Sequence, residues 1–326
     1  MIAIGLSIII LAILLYSINA MNTTREYHET GSIRFHYCIT ENCTHIIVEE
    51  LRSANNIRCA FYTLRHNSII EVLMQKGVPV VLHEPSRTML DNSAVIRTRE
   101  APRLWGLMHN KFCTYELNNN KRVITGSYNP SGQYHKHDFL IVIESDSIYE
   151  EYYDEHEEMM QGIFAGGQKS RNIKTIIDTI IGEEPYRINV TVLFCPEDNC
   201  EDNIIRIIED AQEDIVVAAY TYTSERITIA LLESWENNIS IRFIADRGTM
   251  NGQGSRLGII EEHSIPIRIA PDNLMHHKTM IIDNTIITGS MNYGLNANTR
   301  NDENILIIED VKGIIASTLK KHLQSI

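Results

Sequence analysis

Basic residues are in short supply. The 326-residue chain sets 29 Lys and Arg against 42 Asp and Glu, for a formal net charge of -13. That balance argues against a protein that grips long duplex DNA over a broad basic face, though not against a small basic groove. Three signatures are missing as well: no P-loop lysine motif, no Rossmann glycine fingerprint and no His-Glu-x-x-His helix occurs. Nucleotide-driven, redox and metalloprotease chemistries therefore have no support. Charge is absent altogether from the first 24 residues, where the stretch from Ile2 to Ala20 is almost wholly apolar. It matches the roughly 17 to 25 residues that cross a bilayer as a helix.

Residues 1–24 read as a single-pass membrane anchor, with a cleaved signal peptide as the rival. No Lys or Arg precedes the run, and Ile18 stands where a small residue is usual before a cut at Ala20. Arg25 and Arg34 after the run lean towards a cytoplasmic body. Paired cysteines and Asn-x-Ser/Thr triplets at Asn22, Asn42, Asn189 and Asn238 lean the other way, and we take the body as extracytoplasmic.

The 44% apolar content is enough for a substantial core. The remainder of the chain repeats itself. Phe35 to Cys43 and Leu193 to Cys200 both carry Cys-x4-Cys ending in Asn-Cys. A helical pattern follows each (Ile46, Ile47, Leu51; Ile204, Ile208, Ala211), then the matching strands Ala60-Phe-Tyr-Thr63 and Ala218-Ala-Tyr-Thr221. Next come another helix and a β-branched strand (Val78 to Leu82; Ile239 to Ala245). Strands alternating with helices imply parallel βαβ units and an α/β fold. The expected division is a first repeat over 31–165, a linker over 166–187 and a second repeat over 188–326.

Each repeat ends in a polar motif. The first has His109-Asn-Lys111, Glu116, Gly126-Ser127-Tyr-Asn129 and Asp138; the second has His276-His-Lys278, Asp283, Gly289-Ser290-Met-Asn292 and Glu303. In a strand, residues i and i+2 share a face, so each His emerges beside its Lys. From His109 to Gly126 is 17 positions and from His276 to Gly289 is 13, which predicts a longer hairpin in the first repeat.

With two His-x-Lys-x4-acid motifs, each followed by Gly-Ser-x-Asn, the chain resembles the phospholipase D superfamily over essentially everything after residue 24. The resemblance implies two tandem α/β/α repeats related by pseudo-twofold symmetry. It also implies phosphodiester cleavage through a covalent phosphohistidine, with no cofactor and no metal. The family usually has Asp where this chain has Glu116. We expect Glu116, Ser127, Asp283 and Ser290 to support the site rather than react.

The residue types suit that chemistry. Lys111, Lys278, Asn129 and Asn292 would neutralise phosphoryl oxygens, one imidazole would attack phosphorus and the other would protonate the leaving oxygen. Each histidine needs an acceptor on its second nitrogen. Asp138 and Glu303, 29 and 27 residues past their histidines, are the candidates. By resemblance His109 is the nucleophile and His276 the acid/base, although the near-symmetry of the motifs leaves the reverse open. His277, His135 and His137 read as structural or surface residues.

The Cys-x4-Cys pairs (Cys38 and Cys43; Cys195 and Cys200) fit local disulfides, reduced thiols or, with a less standard spacing, a shared zinc site. Cys59 and Cys113 read as buried core thiols. The substrate is a phospholipid or nucleic-acid phosphodiester. The anchor and acidic balance favour lipid. A nuclease would use basic and aromatic residues such as Arg97, Arg99, Arg103, Trp105, Arg247, Arg256 and Arg268. A phospholipid synthase and a catalytically inactive, membrane-tethered binding protein are the further readings. No obligate protein partner is inferred.

Overall fold

The computed structural model describes residues 25–83, 98–100, 106–131, 136–171, 173–271 and 275–326. The expected anchor, residues 1–24, lies outside them, as do Arg97, Arg103, Trp105 and His135. Among the described residues no helix is long and apolar enough to cross a membrane.

Two mixed sheets carry the fold. The first runs β2 (Ser32–Tyr37), β8 (Phe139–Glu144), β7 (Asn120–Gly126), β6 (Lys111–Leu117), β3 (Asn55–Phe61), β4 (Val80–Leu82) and β5 (Thr98–Glu100). The second runs β1 (Arg25–Thr30), β9 (Ile173–Ile181), β10 (Glu184–Cys195), β16 (Glu303–Asp310), β15 (Thr285–Gly289), β14 (Lys278–Ile282), β11 (Asp214–Ala219), β12 (Ser240–Ala245) and β13 (Ile267–Ile269). From β10 onward the second sheet repeats the strand order of the first. The βαβ units are parallel as expected, β3 to β4 and β11 to β12. The strands bearing the polar motifs are antiparallel hairpins.

Strand alternation builds three layers of core. On β8, Phe139, Ile141 and Ile143 face a central cluster, and on β16 Leu306 and Ile308 do the same. Leu140 and Val142, and likewise Ile305 and Ile307, face outer clusters. A strand buried on both faces must be apolar along its buried length, and Phe139 to Ile143 are, with the charge of Glu144 kept to the half-buried end. Helices α1 (Cys43–Arg52) and α2 (Asn67–Lys76) cover the outside of the first sheet through Ile47, Leu51, Ile69 and Leu73. Helices α4 (Cys200–Glu209) and α5 (Glu225–Glu236) cover the second through Ile204, Ile208, Ile227 and Leu231. The central cluster joins both sheets to α3 (Asp146–Gln161) and α6 (Ile314–Ser325).

Two expectations change. Residues 166–187, read as a linker, hold β9 and the start of β10, and their β-branched run Ile173-Lys-Thr-Ile-Ile pairs with both β1 and β10. Cys59 and Cys113 are buried as expected, but they form a disulfide rather than free thiols. They stand directly opposite each other on β3 and β6, with Cα atoms 4.1 Å apart. Of the alternatives for the Cys-x4-Cys pairs, the local disulfide is the one formed, Cys38–Cys43 and Cys195–Cys200. No cysteine is left for zinc.

Candidate active site

Both motifs reach one cleft, a cavity of about 380 Å³ whose walls include His109, Asn129, His276 and Asn292. The Gly-Ser-x-Asn turns build its floor. Gly126 and Gly289 take φ of +129° and +149°, and a Cβ there would meet the carbonyl oxygens of Phe139 and Asn304 at 2.3 and 2.2 Å. Only glycine fits that approach. The serine that follows repairs the strand edge: Ser127 Oγ accepts from the Phe139 amide at 3.1 Å, and Ser290 Oγ from the Asn304 amide at 3.0 Å. Each hydroxyl then donates to the carboxylate one residue earlier, Ser127 to Asp138 and Ser290 to Glu303, both at 2.7 Å.

Those carboxylates do not serve their own halves. Glu303 lies 2.7 Å from Nδ1 of His109, and Asp138 lies 2.7 Å from Nδ1 of His276. The within-repeat pairing suggested by sequence offsets is corrected here, and the backbone gives the reason. The His109 amide donates to the Asp302 carbonyl at 2.9 Å, and the His276 amide donates to the His137 carbonyl at 3.0 Å. Each histidine is therefore bonded to the residue just before the other half's carboxylate. With Nδ1 occupied on both rings, Nε2 is left for chemistry.

The surroundings of the two rings match. His109 packs edge-on against Tyr62 and His276 packs tilted against Tyr220, with centroids 4.7 Å apart in both cases. Lys111 and Lys278 are each 2% exposed. Lys111 donates to the His109 carbonyl, and Lys278 donates to the His276 carbonyl at 2.9 Å, with its Nζ 3.3 Å from Nε2 of the ring. The ammonium groups also lie 5.3 Å from the Tyr62 ring centre and 5.2 Å from that of Tyr220.

Burial drives the protonation states. It pushes both histidines down to about 4, against the pull of Glu303 on His109 and of Asp138 on His276. It lowers Lys111 to about 7 and Lys278 to about 8, again opposed by the two carboxylates. Burial alone would raise Asp138 and Glu303, but their histidines, the lysines and the serine bonds hold both below the ordinary carboxylate range. At neutral pH the site by itself thus favours two neutral imidazoles and two carboxylates beside a pair of easily deprotonated lysines. A phosphodiester anion entering it favours the protonated forms.

The supporting acids differ from each other. Asp283, in the β14–β15 turn, accepts from the amides of Gln212, Glu213 and Asp214 at 2.9, 2.8 and 3.0 Å and so ties down the entry to β11. Glu116 lies inside β6 opposite Lys121, because the longer hairpin carries the strand past that point. His277 is fully buried, its ring 4.3 Å from that of Phe139.

Sequence reasoning did not single out Tyr62, Tyr220, Arg65 or Lys136, which line the same cleft. The duplicated Ala-x-Tyr-Thr was the available signal for the tyrosines. Of the basic residues considered for nucleic acid, Arg256 pairs with Glu225 at 2.8 Å and Arg268 bonds the Gln324 carbonyl at 2.5 Å. A separate cavity of about 290 Å³, walled by Glu151, Asp154, Glu155 and Arg171 among others, holds none of the motif residues.

A family model described as the PLD-like domain of cardiolipin synthase matches residues 204–326. A phospholipase D of Rickettsia prowazekii is 34% identical over 131 residues, 40% of this chain and 64% of that protein. The chain thus spans less than two thirds of that relative's length. A mitochondrial cardiolipin hydrolase of Xenopus laevis is 28% identical over 146 residues, 43% of this chain and 69% of that protein. The crystal structure of a phosphatidylserine synthase from Haemophilus influenzae shares the fold, with a TM-score of 0.64 at 14% identity over 90% of this chain and 85% of that one.

Proposed function

The chain belongs to the phospholipase D superfamily, and from that premise we propose that it is a phosphodiesterase of phospholipase D type acting on phospholipids. The observation that carries this is the crossed arrangement: two histidines in one cleft, each with Nδ1 held by a carboxylate of the other half. The two halves are read as tandem repeats about a pseudo-twofold axis that passes through this cleft.

In the proposed reaction, Nε2 of His109 attacks phosphorus while the bond to the leaving oxygen breaks, and the proton on Nε2 of His276 passes to that oxygen. Water then attacks the phosphohistidine and gives its proton back to His276, the P–N bond breaks, and the phosphatidic acid departs. Glu303 steadies the charge that develops on His109, and Asp138 keeps His276 in the tautomer that exchanges protons at Nε2. Lys111, Lys278, Asn129 and Asn292 bind the phosphoryl oxygens. Asp283, Ser127 and Ser290 hold these groups in place.

We place the protein at a membrane, anchored through residues 1–24, with its body in an oxidising compartment. Three disulfides support the latter. The test compares the full-length chain with His109→Asn on an aryl phosphodiester in excess EDTA, then on phospholipid vesicles and on single-stranded oligonucleotides. EDTA-resistant cleavage of vesicles that is lost in the variant is the expected result. Oligonucleotide cleavage alone would make the protein a nuclease, and inactivity on all three would make it a tethered binding protein.

A further inference from the structure

The strands give the molecule two unlike ends. Lys111 opens β6, Lys278 opens β14 and Glu303 opens β16, so the cleft lies where these strands begin. Cys195, at the end of β10, pairs with Glu303, and Thr191 pairs with Lys174 near the start of β9. β1 runs parallel to β9, with Arg25 opposite Ile173. A chain arriving from residue 24 therefore enters the fold at the cleft end. Its point of entry is three strands from β16, about 14 Å at ~4.8 Å between neighbours. Val311, just past the last residue of β16, is at the other end, about 26 Å along the strand at ~3.3 Å per residue.

Both ends expose large apolar side chains. At the cleft end these are Leu107, Ile163 and Leu295, gathered about one segment. The Asp302 amide donates to the Leu107 carbonyl at 2.9 Å, and the Leu107 amide to the Asn301 side chain at 3.0 Å. The Ala165 amide donates to the Asp302 carboxylate at 2.5 Å, and Leu295 opens the short helix Leu295–Thr299 that leads into the same segment. At the far end Ile180, Val311 and Ile314 are exposed as well. Charge tells the ends apart. Residues 106–110, 162–172 and 290–301, which carry the first three side chains, include no Asp or Glu but do include Lys169 and Arg300, both exposed. Neighbouring acids turn inward: Asp198 accepts from the amides of Phe194 at 2.8 Å and Ser170 at 3.0 Å, and Glu158 from that of Gln168 at 3.1 Å. The far end has exposed carboxylates at Glu183, Glu184, Glu209 and Glu213.

We propose that the cleft end is a docking face for a phospholipid bilayer, with Leu295, Ile163 and Leu107 entering the interface. The inference rests on the membrane placement above and adds which face meets the lipid. A chain tethered through residues 1–24 is held by the end that carries Arg25, and the cleft shares that end. The three apolar side chains gain by leaving water there. Lys169 and Arg300 can lay their stems in the interface and reach lipid phosphates with their charged heads. Docking by the far end would instead press Glu183, Glu184, Glu209 and Glu213 into a layer that desolvates them, at a cost. With the cleft end down, a diester needs only to rise out of the head-group layer to reach His109 and His276.

The experiment puts the full-length chain on phosphatidylcholine vesicles whose acyl chains carry bromine, which quenches indole fluorescence on contact. Leu295→Trp and Val311→Trp are compared, two sites 65% and 61% exposed at opposite ends, with Trp105 and Trp235 of the wild type as background. The tryptophan at 295 should be quenched and the one at 311 should not. Quenching at 311, or at neither site in protein that sediments with the vesicles, overturns the docking face and leaves the anchor standing. Protein that stays in the supernatant removes the membrane placement, and this proposal with it. This arm needs no catalysis, so it holds whichever diester the cleft takes. A second arm reads kcat/KM: Leu295→Asp should lose about tenfold on phospholipid vesicles, the effect of one apolar side chain kept out of the interface, and nothing on a soluble aryl phosphodiester. An equal loss on both substrates, or none on either, contradicts the proposal, because Leu295 then does not act through the bilayer.

Discussion

The crossed carboxylates make a sharp prediction about two conservative substitutions. Glu303 is fully buried and contacts Nδ1 of His109 at 2.7 Å, the Ser290 hydroxyl at 2.7 Å and the Asn301 amide at 3.1 Å. Glu303→Gln keeps the volume but removes the charge that stabilises His109 as it acquires a phosphoryl group. Asp138→Asn does the same to His276. Losing the carboxylate from such a triad costs on the order of 10³ to 10⁴ in kcat, or about 4 to 5.5 kcal/mol in barrier height. The two losses should differ in kind. Single-turnover rates on matched diesters with alkoxide and 4-nitrophenolate leaving groups separate them, because nitrophenolate departs without a proton. Asp138→Asn should lose the full factor on the alkyl ester and recover most of it on the aryl ester. Glu303→Gln should lose a similar factor on both. Leaving-group dependence confined to Glu303→Gln would refute the reasoning, since it would tie Glu303 to the proton donor.

Other consequences concern pH and stability. Lys111 and Lys278 lose their protons at about 7 and about 8, so kcat/KM should fall as pH rises through that range, a decline readable from a pH-rate profile in EDTA. Unfolded lysines keep their protons up to the ordinary lysine value of 10.5. Between these limits the unfolded chain binds more protons, and the unfolding free energy should rise with pH by about 1.4 kcal/mol per unit for each lysine; urea titrations at pH 7 and pH 9 test the sign. The Cys59–Cys113 disulfide closes a sequence separation of 54 and the two local disulfides separations of 5. Cys59→Ala/Cys113→Ala should therefore cost about 4 kcal/mol against about 2 for either local pair, measured by denaturant unfolding. Asn304 donates to Asn110 at 2.6 Å and accepts from Thr125 at 3.1 Å and Tyr152 at 3.0 Å, all buried. Asn304→Ala strands these partners and should lower stability by about 3 kcal/mol in the same assay.

The local features of the fold were legible in the sequence because they depend on local periodicity. The β-branched runs Val78 to Leu82 and Ile239 to Ala245 announced strands, and the spacing of His109 and Lys111 placed them on one side of a strand. The Gly-Ser-x-Asn motif announced a site but not its mechanics, which depend on the carbonyls of Phe139 and Asn304 across the sheet. Features set by contacts distant in sequence were misread. Similar offsets suggested Asp138 for His109, whereas the bridges Met108 to Asp302 and His137 to Met275 hand each carboxylate to the other half. Cys59 and Cys113 could be matched only by knowing the register of β3 against β6, since a shift of one residue would put the two thiols on opposite faces. Tyr62 and Tyr220 were not singled out, because an aromatic side chain in an apolar strand gives no local sign that it lines a cleft.

The crossing also constrains how such a site can change. Asp138 bonds His276 and takes the Ser127 hydroxyl, and its neighbour His137 holds the backbone of His276. A substitution at any of these in the first half disturbs the histidine of the second, and Asp302 with Glu303 acts on His109 in the same way. The two sets of chemical groups therefore have to remain alike, because each completes the other. The walls carry no such obligation: Arg65 lines one side of the cleft and bonds Pro130, while Asp246 and Thr249 line a recess beside the other, where Asp246 accepts from Gly248 and Thr249 and Thr249 donates to Tyr220, each bond lying within one half. Asymmetry can build up there without altering the reaction. A cleft whose centre is nearly twofold and whose flanks are not can thus keep one chemistry while its flanks decide which end of the phosphodiester leaves.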